Sequence, residues 1–291
     1  MSLVLARIQV GRFSWDWSRT CVVGILNVTP DSFYDGGRYQ LAEDAVEHGL
    51  CLAAQGVDLL DVGGESTRPG AEPVSVDEEL GRVVPVVAEL SRRSELAISI
   101  DTMKAEVARA VVQAGACCIN DVSGLRLDES MAAAAAETGA LLVVGHMRGA
   151  PATMNDEIHF EDVVREVTEE LRESVRRAVR AGVRADRIVV DPGLGFGKRP
   201  EHSLALLRSV GQLREALGYP VMVGPSRKGF IGTVTGKPPA DRLMGSASAV
   251  AAAIVAGADA VRVHDPGELL PAIQVADAIR GRRPGTAMEG R

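Results

Sequence analysis

Eight short apolar runs, most of them rich in β-branched residues, recur along the chain, and each is followed by a longer stretch with helical spacing. The runs are CVVGILN (21–27), LLDVGGE (59–65), LAISIDT (96–102), CCINDVS (117–123), ALLVVGHM (140–147), RIVVDPG (187–193), PVMVGPS (220–226) and AVRVHDP (260–266). They are close to continuously apolar rather than alternating, as in parallel strands covered on both faces. Between them lie helical patterns such as AEDAVEHGLCLAAQG and FEDVVREVTEELRESVRRAVRAG, several ending in Ala-Gly or Gln-Gly, where a left-handed cap suits glycine. Eight strand–helix units within 291 residues predict an α/β fold, a single (β/α)8 TIM barrel. A doubly wound sheet is the competing arrangement. The opening LVLARIQVGRFSWDW reads as a β-hairpin capping the barrel floor. Residues 1–280 then form one domain, and the polar GRRPGTAMEGR (281–291) reads as a disordered tail.

Composition narrows the function. The net charge is −7 with acids and bases interspersed, which argues against nucleic-acid partners but not against an anionic small substrate in a local basic pocket. Cys21, Cys51, Cys117 and Cys118 all sit in apolar segments without a C-x-x-C pair and read as buried, reduced thiols. With no signal-peptide pattern, and with ASAVAAAIVAGA too short to span a bilayer, the chain reads as soluble and cytoplasmic, with no membrane partner. G-x-x-x-x-G-K-[ST], H-E-x-x-H, G-x-S-x-G and a Cys/His cluster are all absent, and DPGLGFGK lacks the G-x-G-x-x-G spacing. Nucleotide, structural-zinc and serine-hydrolase readings are therefore weak.

Each apolar run ends in polar residues: Asn27, Glu65, Asp101, Asn120 with Asp121, His146, Asp191, Ser226, and Arg262 with His264. In a parallel barrel these ends meet at one rim. Helix caps account for one or two of them, and Asp101 and Asp191 are candidates for that lesser role. A single site accounts for them all. Asp101, Asn120 and Asp191 suit the donor edge of a flat amino-heterocycle. Arg68, Lys228, Arg262 and His264, with Lys198 and Arg227 nearby, suit a phosphate or diphosphate leaving group. Lys198 and Arg199 read equally well as solvated rim charges, and Arg262 as half of a structural ion pair. Two glycine-rich loops, NVTPDSFYDGG (27–37) and GGESTRPG (63–70), are placed to close over a ligand.

GILNVTPDSFYDGG, GGESTRPG, SIDT, INDVSG, GHMRGAPATMN, DPGLGFGK, GPSRKGFIG, RLMGSA and VRVHD resemble, in order, the blocks of the bacterial dihydropteroate synthases. The resemblance runs from about Cys21 to Arg280. It implies a TIM barrel, usually homodimeric. Its members join 4-aminobenzoate to 6-hydroxymethyl-7,8-dihydropterin diphosphate, releasing diphosphate in folate synthesis, with Mg2+ accompanying the diphosphate. By this resemblance Asp101, Asn120, Met147, Asp191, Phe196 and Lys228 bind the pterin. Phe33, Thr67, Arg68, Pro69 and Ser226 form the 4-aminobenzoate pocket. Asn27, Arg68, Arg262 and His264 meet the diphosphate, and Asn27 the metal. Asp35, Lys228, Arg262 and His264 are the residues implied in catalysis, Asp35 by supporting a cationic intermediate. Gly145 and Arg148 depart from the residues common in the family. Two other readings remain: a methyl-tetrahydrofolate:corrinoid methyltransferase, which would not need STRPG or SRKGF, and a non-catalytic pterin-binding paralogue. The apolar segment 241–258 is expected to line the dimer interface.

Overall fold

In the computed structural model, which describes residues 5–29 and 38–282, strands β1 (Ile8–Val10) and β2 (Phe13–Trp15) form an antiparallel hairpin. All eight apolar runs then become strands: β3 (Cys21–Asn27), β4 (Leu59–Gly63), β5 (Ala97–Asp101), β6 (Cys118–Asp121), β7 (Leu141–Val144), β8 (Ile188–Val190), β9 (Met222–Val223) and β10 (Ala260–Val263). They pair in parallel in the order β8-β7-β6-β5-β4-β3-β10-β9. A bridge between Val190 and Val221, with the Val190 N–H donating to the Pro220 carbonyl at 2.9 Å, joins the two ends of this sheet. The expected barrel is therefore present, and its β8–β9 seam is thinner than the others.

One helix follows each of the first five barrel strands: α1 (Arg38–Ala54), α2 (Val76–Arg93), α3 (Ala105–Gln113), α4 (Met131–Thr138) and α5 (Val163–Arg180). After β8 come α6 (Pro200–Arg208) and α7 (Val210–Leu217), after β9 come α8 (Gly229–Thr235) and α9 (Leu243–Ala256), and α10 (Pro266–Ile279) follows β10. Local chemistry fixes several starts. The Ser75 hydroxyl accepts from the Glu78 N–H ahead of α2, and the Asp162 carboxylate accepts from the Val164 and Arg165 N–H groups ahead of α5. None of the described helices is long and apolar enough to cross a membrane.

The pleat sorts each strand's residues into two cores. Leu60, Val62, Ile98, Ile100, Ile119, Leu142 and Val144 face outward and pack with helix residues such as Val83, Val87, Val107 and Leu171. Their alternates Leu59, Ala97, Cys118, Leu141, Val143, Val189, Met222 and Ala260 face the lumen, where Ile8, Val10, Phe13 and Trp17 of the hairpin segment plug the lower end. The hairpin caps the floor as the sequence suggests. Three of the cysteines are buried there or beside it, but Cys51 is exposed, because it lies on the solvent side of α1. Arg282, inside the stretch read as a tail, is held by Asp259 at 2.5 Å.

Candidate functional site

Climbing the lumen from its apolar floor, the inward positions turn polar within one pleat. On β4 the sequence passes from Leu59 to Asp61, on β5 from Ala97 through Ser99 to Asp101, on β6 from Cys118 to Asn120, and on β10 from Ala260 to Arg262. Register brings these together: Asp61 stands opposite Ser99, and Asp101 opposite both Gly63 and Asn120. Arg262 donates from Nε to Asp61 Oδ2 at 2.6 Å and from an Nη to Asp101 Oδ2 at 2.7 Å. Asn120 Nδ2 donates to the same Asp61 oxygen at 2.8 Å. The second oxygens of Asp61 and Asp101 are buried with no partner. A buried carboxylate oxygen left unpaired is costly and calls for a donor.

The electrostatics follow from this crowding. Burial pushes the Asp101 carboxyl up to about 7, with Arg262 opposing and Asp61 adding to the rise. Burial likewise raises Asp191, although the Gly193 N–H, donating to its Oδ1 at 2.7 Å, works the other way. Lys228 falls to about 8 through burial and the nearby Arg262. Its ammonium lies 3.9 Å from the centroid of the Phe196 ring. Beside these groups, Met103, Val122, Met147 and Met154 form a buried apolar cluster against which Phe196 packs. The result is a set of soft apolar side chains lying beside buried carboxylates, an amide and a cation. Such a site suits a planar, nitrogen-rich ring.

Towards the rim, Ser226 Oγ lies 3.2 Å from His264 Nδ1 and accepts from the His264 N–H at 3.3 Å. Burial and the neighbouring Arg262 lower His264 to about 4, so it is a neutral imidazole near pH 7. Asn27 ends β3, and a Cβ built on Gly63 would meet both Asn27 Oδ1 and Asp101 Oδ2 at 3.8 Å, so these oxygens border one gap. The structure thus brings together Asn27, Asp101, Asn120, Met147, Asp191, Phe196, Ser226, Lys228, Arg262 and His264. Thr67, Arg68 and Pro69 stand at the rim, with Arg68 and Pro69 exposed. Their loop is tied down by the Gly70 N–H donating to the Pro151 carbonyl at 3.0 Å. Phe33 and Asp35 lie outside the described residues.

Four polar side chains expected at or near the site are engaged elsewhere. Lys198 is no solvated rim charge: it is buried, and its ammonium lies 2.8 Å from His146 Nδ1. His146 therefore turns away from the site. Glu65 is paired with Lys104, which also binds the buried Glu79 at 2.6 Å. Arg227 is paired with Asp265, at 2.9 and 2.5 Å. Arg262 is indeed half of an ion pair, but with the site's own acids. Asp191 both closes its turn and faces the site, whereas Asp101 caps no helix.

The sequence reading passed over Asp61, Met103 and Met154. For Asp61 the signal was available, because an aspartate inside an otherwise apolar strand needs a buried partner.

The sequence profile of the family described as pterin binding enzyme matches residues 23–264. A dihydropteroate synthase from Synechocystis sp. is 42% identical over 274 residues, covering 94% of this chain and 94% of its own. The solved Xanthomonas albilineans dihydropteroate synthase with 4-aminobenzoic acid is 45% identical with a TM-score of 0.88, over 94% of this chain and 98% of that one. The same species' enzyme in complex with 7,8-dihydropteroate is 41% identical with a TM-score of 0.84, over 94% and 99%.

Proposed function

This chain belongs to the pterin binding enzymes and, among them, to the dihydropteroate synthases, and on that footing we propose how its residues carry out the reaction. The substrates are 6-hydroxymethyl-7,8-dihydropterin diphosphate and 4-aminobenzoate, and the products 7,8-dihydropteroate and diphosphate. The observation that carries this assignment of roles is the pair of unpartnered, buried carboxylate oxygens on Asp61 and Asp101 beside an apolar cluster. A pterin supplies an N–H donor to the open Asp101 oxygen and lies against the apolar side chains of the Met147 and Phe196 cluster.

In this reading Asp101, Asn120 and the outer oxygen of Asp191 hold the amino-pyrimidine edge, and Lys228 bonds the ring from the Phe196 side. The diphosphate lies towards Asn27, Arg262 and His264. A neutral His264 donates one hydrogen bond, so Arg262 supplies the fixed positive charge for the departing group. Departure precedes attack, because the pterin ring delocalises the methylene cation that remains, and no protein nucleophile is needed. The amine of 4-aminobenzoate, its carboxylate at Ser226 and its ring beneath the loop carrying Thr67, Arg68 and Pro69, then captures the cation. That loop keeps out competing water.

Mg2+ fits this arrangement only as the partner of the diphosphate. No group of three His, Cys, Asp or Glu side chains among the described residues could cage an ion. Asn27 supplies a neutral oxygen at the end of β3, and magnesium characteristically keeps waters and takes oxygens from substrate phosphates. When bound, it would offset charge on the leaving group.

The chain also acts as a homodimer in this reading. Met244 and Val255 on α9 and Val275 and Ile279 on α10, adjoining helices, are 77%, 49%, 61% and 69% exposed, an apolar patch that a second copy would cover.

The test is a diphosphate-release assay with purified protein, Mg2+, the dihydropterin diphosphate and 4-aminobenzoate, each omitted in turn. Release that requires all of them and yields dihydropteroate is expected. Pterin binding without release would mean a non-catalytic paralogue.

A further inference from the structure

Lys198 is buried, which lowers its pKa to about 7, and its hydrogen bonds among the described residues go to His146 and to the Phe196 backbone rather than to a side chain facing the pterin site. Its Nζ lies 2.8 Å from His146 Nδ1 and donates to two carbonyls, that of His146 at 3.2 Å and that of Phe196 at 3.0 Å. An ammonium has three N–H groups and no acceptor. All three are used, and none is left for a substrate. When Lys198 is protonated its ammonium only donates, so His146 Nδ1 accepts, and the ring proton sits on Nε2, which donates to Glu170 Oε2 at 3.1 Å. Glu170 is held in turn by Arg148 and by Arg126, the latter at 2.7 Å.

The atoms that Lys198 grips are placed tellingly. The His146 carbonyl leads directly into Met147, and the Phe196 carbonyl belongs to the residue facing it in the apolar cluster. The two backbones meet at glycines that admit no side chain. Gly193 has φ 66°, and a Cβ there would collide with the His146 carbonyl. Gly197 has φ 58°, and a Cβ there would lie 2.9 Å from the Arg148 carbonyl.

We propose that Lys198, resting on His146, is a positioning residue that sets the width of the pterin slot by tying the Met147 corner to the Phe196 turn. This rests on the pterin assignment above. A lysine that served only general stability would loosen everything it supports. A clamp on the slot affects one ligand selectively.

The experiment measures dihydropterin diphosphate binding by calorimetry and the KM for 4-aminobenzoate by turnover, in the wild type and in K198M, H146N and H146Q. K198M is expected to weaken pterin binding about tenfold, with the 4-aminobenzoate KM within about twofold of wild type. In H146N the amide oxygen takes the place of Nδ1, so the Lys198 contact and pterin affinity persist. In H146Q the polar atoms sit at the Nε2 position, and affinity falls as in K198M. The histidine pair decides the matter if K198M does not fold. Wild-type pterin affinity in K198M or H146Q, or equal losses for both substrates, overturns the proposal. Wild-type protein that binds the pterin but releases no diphosphate sinks the reaction while leaving the clamp open to the same binding comparison.

Discussion

Replacing Asp61 with alanine should destabilise the protein more than any other single change in the charged layer. Asp61 is fully buried, and one of its oxygens holds both Arg262 Nε and Asn120 Nδ2, at 2.6 and 2.8 Å. Removing one partner of a buried pair costs about 3–5 kcal/mol, because the other charge stays behind. Arg262 keeps Asp101 at 2.7 Å, which places the loss near the lower end, at about 3 kcal/mol. For a chain of this size that lowers the melting temperature by about 6 °C, at roughly 2 °C per kcal/mol. D61N separates charge from hydrogen bonding. Its amide oxygen can occupy the bonded position, and its NH2 the position of the oxygen that has no partner. About half the loss is therefore expected in D61N. Calorimetric melts of the ligand-free protein at one pH give both values. A D61A melting temperature within about 1 °C of wild type would refute the reasoning. So would a D61N protein as unstable as D61A, because charge and hydrogen bonding would not then be separable at this position.

The Asp101 carboxyl should govern the acid limb of the pH profile: kcat/KM for the pterin, which reports groups of the free protein, should fall as pH drops through about 7. For stability the sign is opposite. Its pKa is raised from 3.8, so its contribution is present below that value and is lost as pH rises through about 7. D101N should therefore gain stability relative to wild type in melts taken between pH 4 and 8, and a flat difference would refute this. Lys228→Ala should lower kcat/KM by at least about 100-fold in the diphosphate-release assay, and near-normal turnover would remove Lys228 from the mechanism. Met244→Glu should weaken self-association at least about tenfold in sedimentation at micromolar concentration, whereas an unchanged or monomeric wild-type mass would dismiss the α9–α10 interface.

The barrel was legible because doubly buried strands carry their own signature, and each of the eight apolar runs became a strand. The site's outline was legible for a related reason: parallel strands deliver their C-terminal residues to one rim. What the sequence conceals is which way a side chain turns there. His146 and Asp191 both end apolar runs, yet one faces Lys198 behind the slot and the other faces the slot. Lys198 stands in a polar context, GKRP, that resembles exposed loop, and only the close approach of two glycine-bearing backbones buries it. Asp61 was visible as an acid in an apolar strand, but its partners were not. Its role depends on β3, β4 and β5 pairing in a register that puts Leu59 at the floor and Asp61 one pleat higher. Arg68 stands exposed on its rim loop.

The barrel is stitched unevenly. Seven of its junctions are ladders of two or more residue pairs, whereas β8 meets β9 through the single Val190–Val221 bridge. Asp191 directly follows one lip of this seam, and Ser226 and Lys228 follow the other. A pterin held between Asp191 and Lys228 would therefore act as a rivet across the weakest joint of the cylinder. Part of its binding energy would appear as closure of the barrel, and slower hydrogen exchange at the Val190 amide on adding the pterin would register that directly.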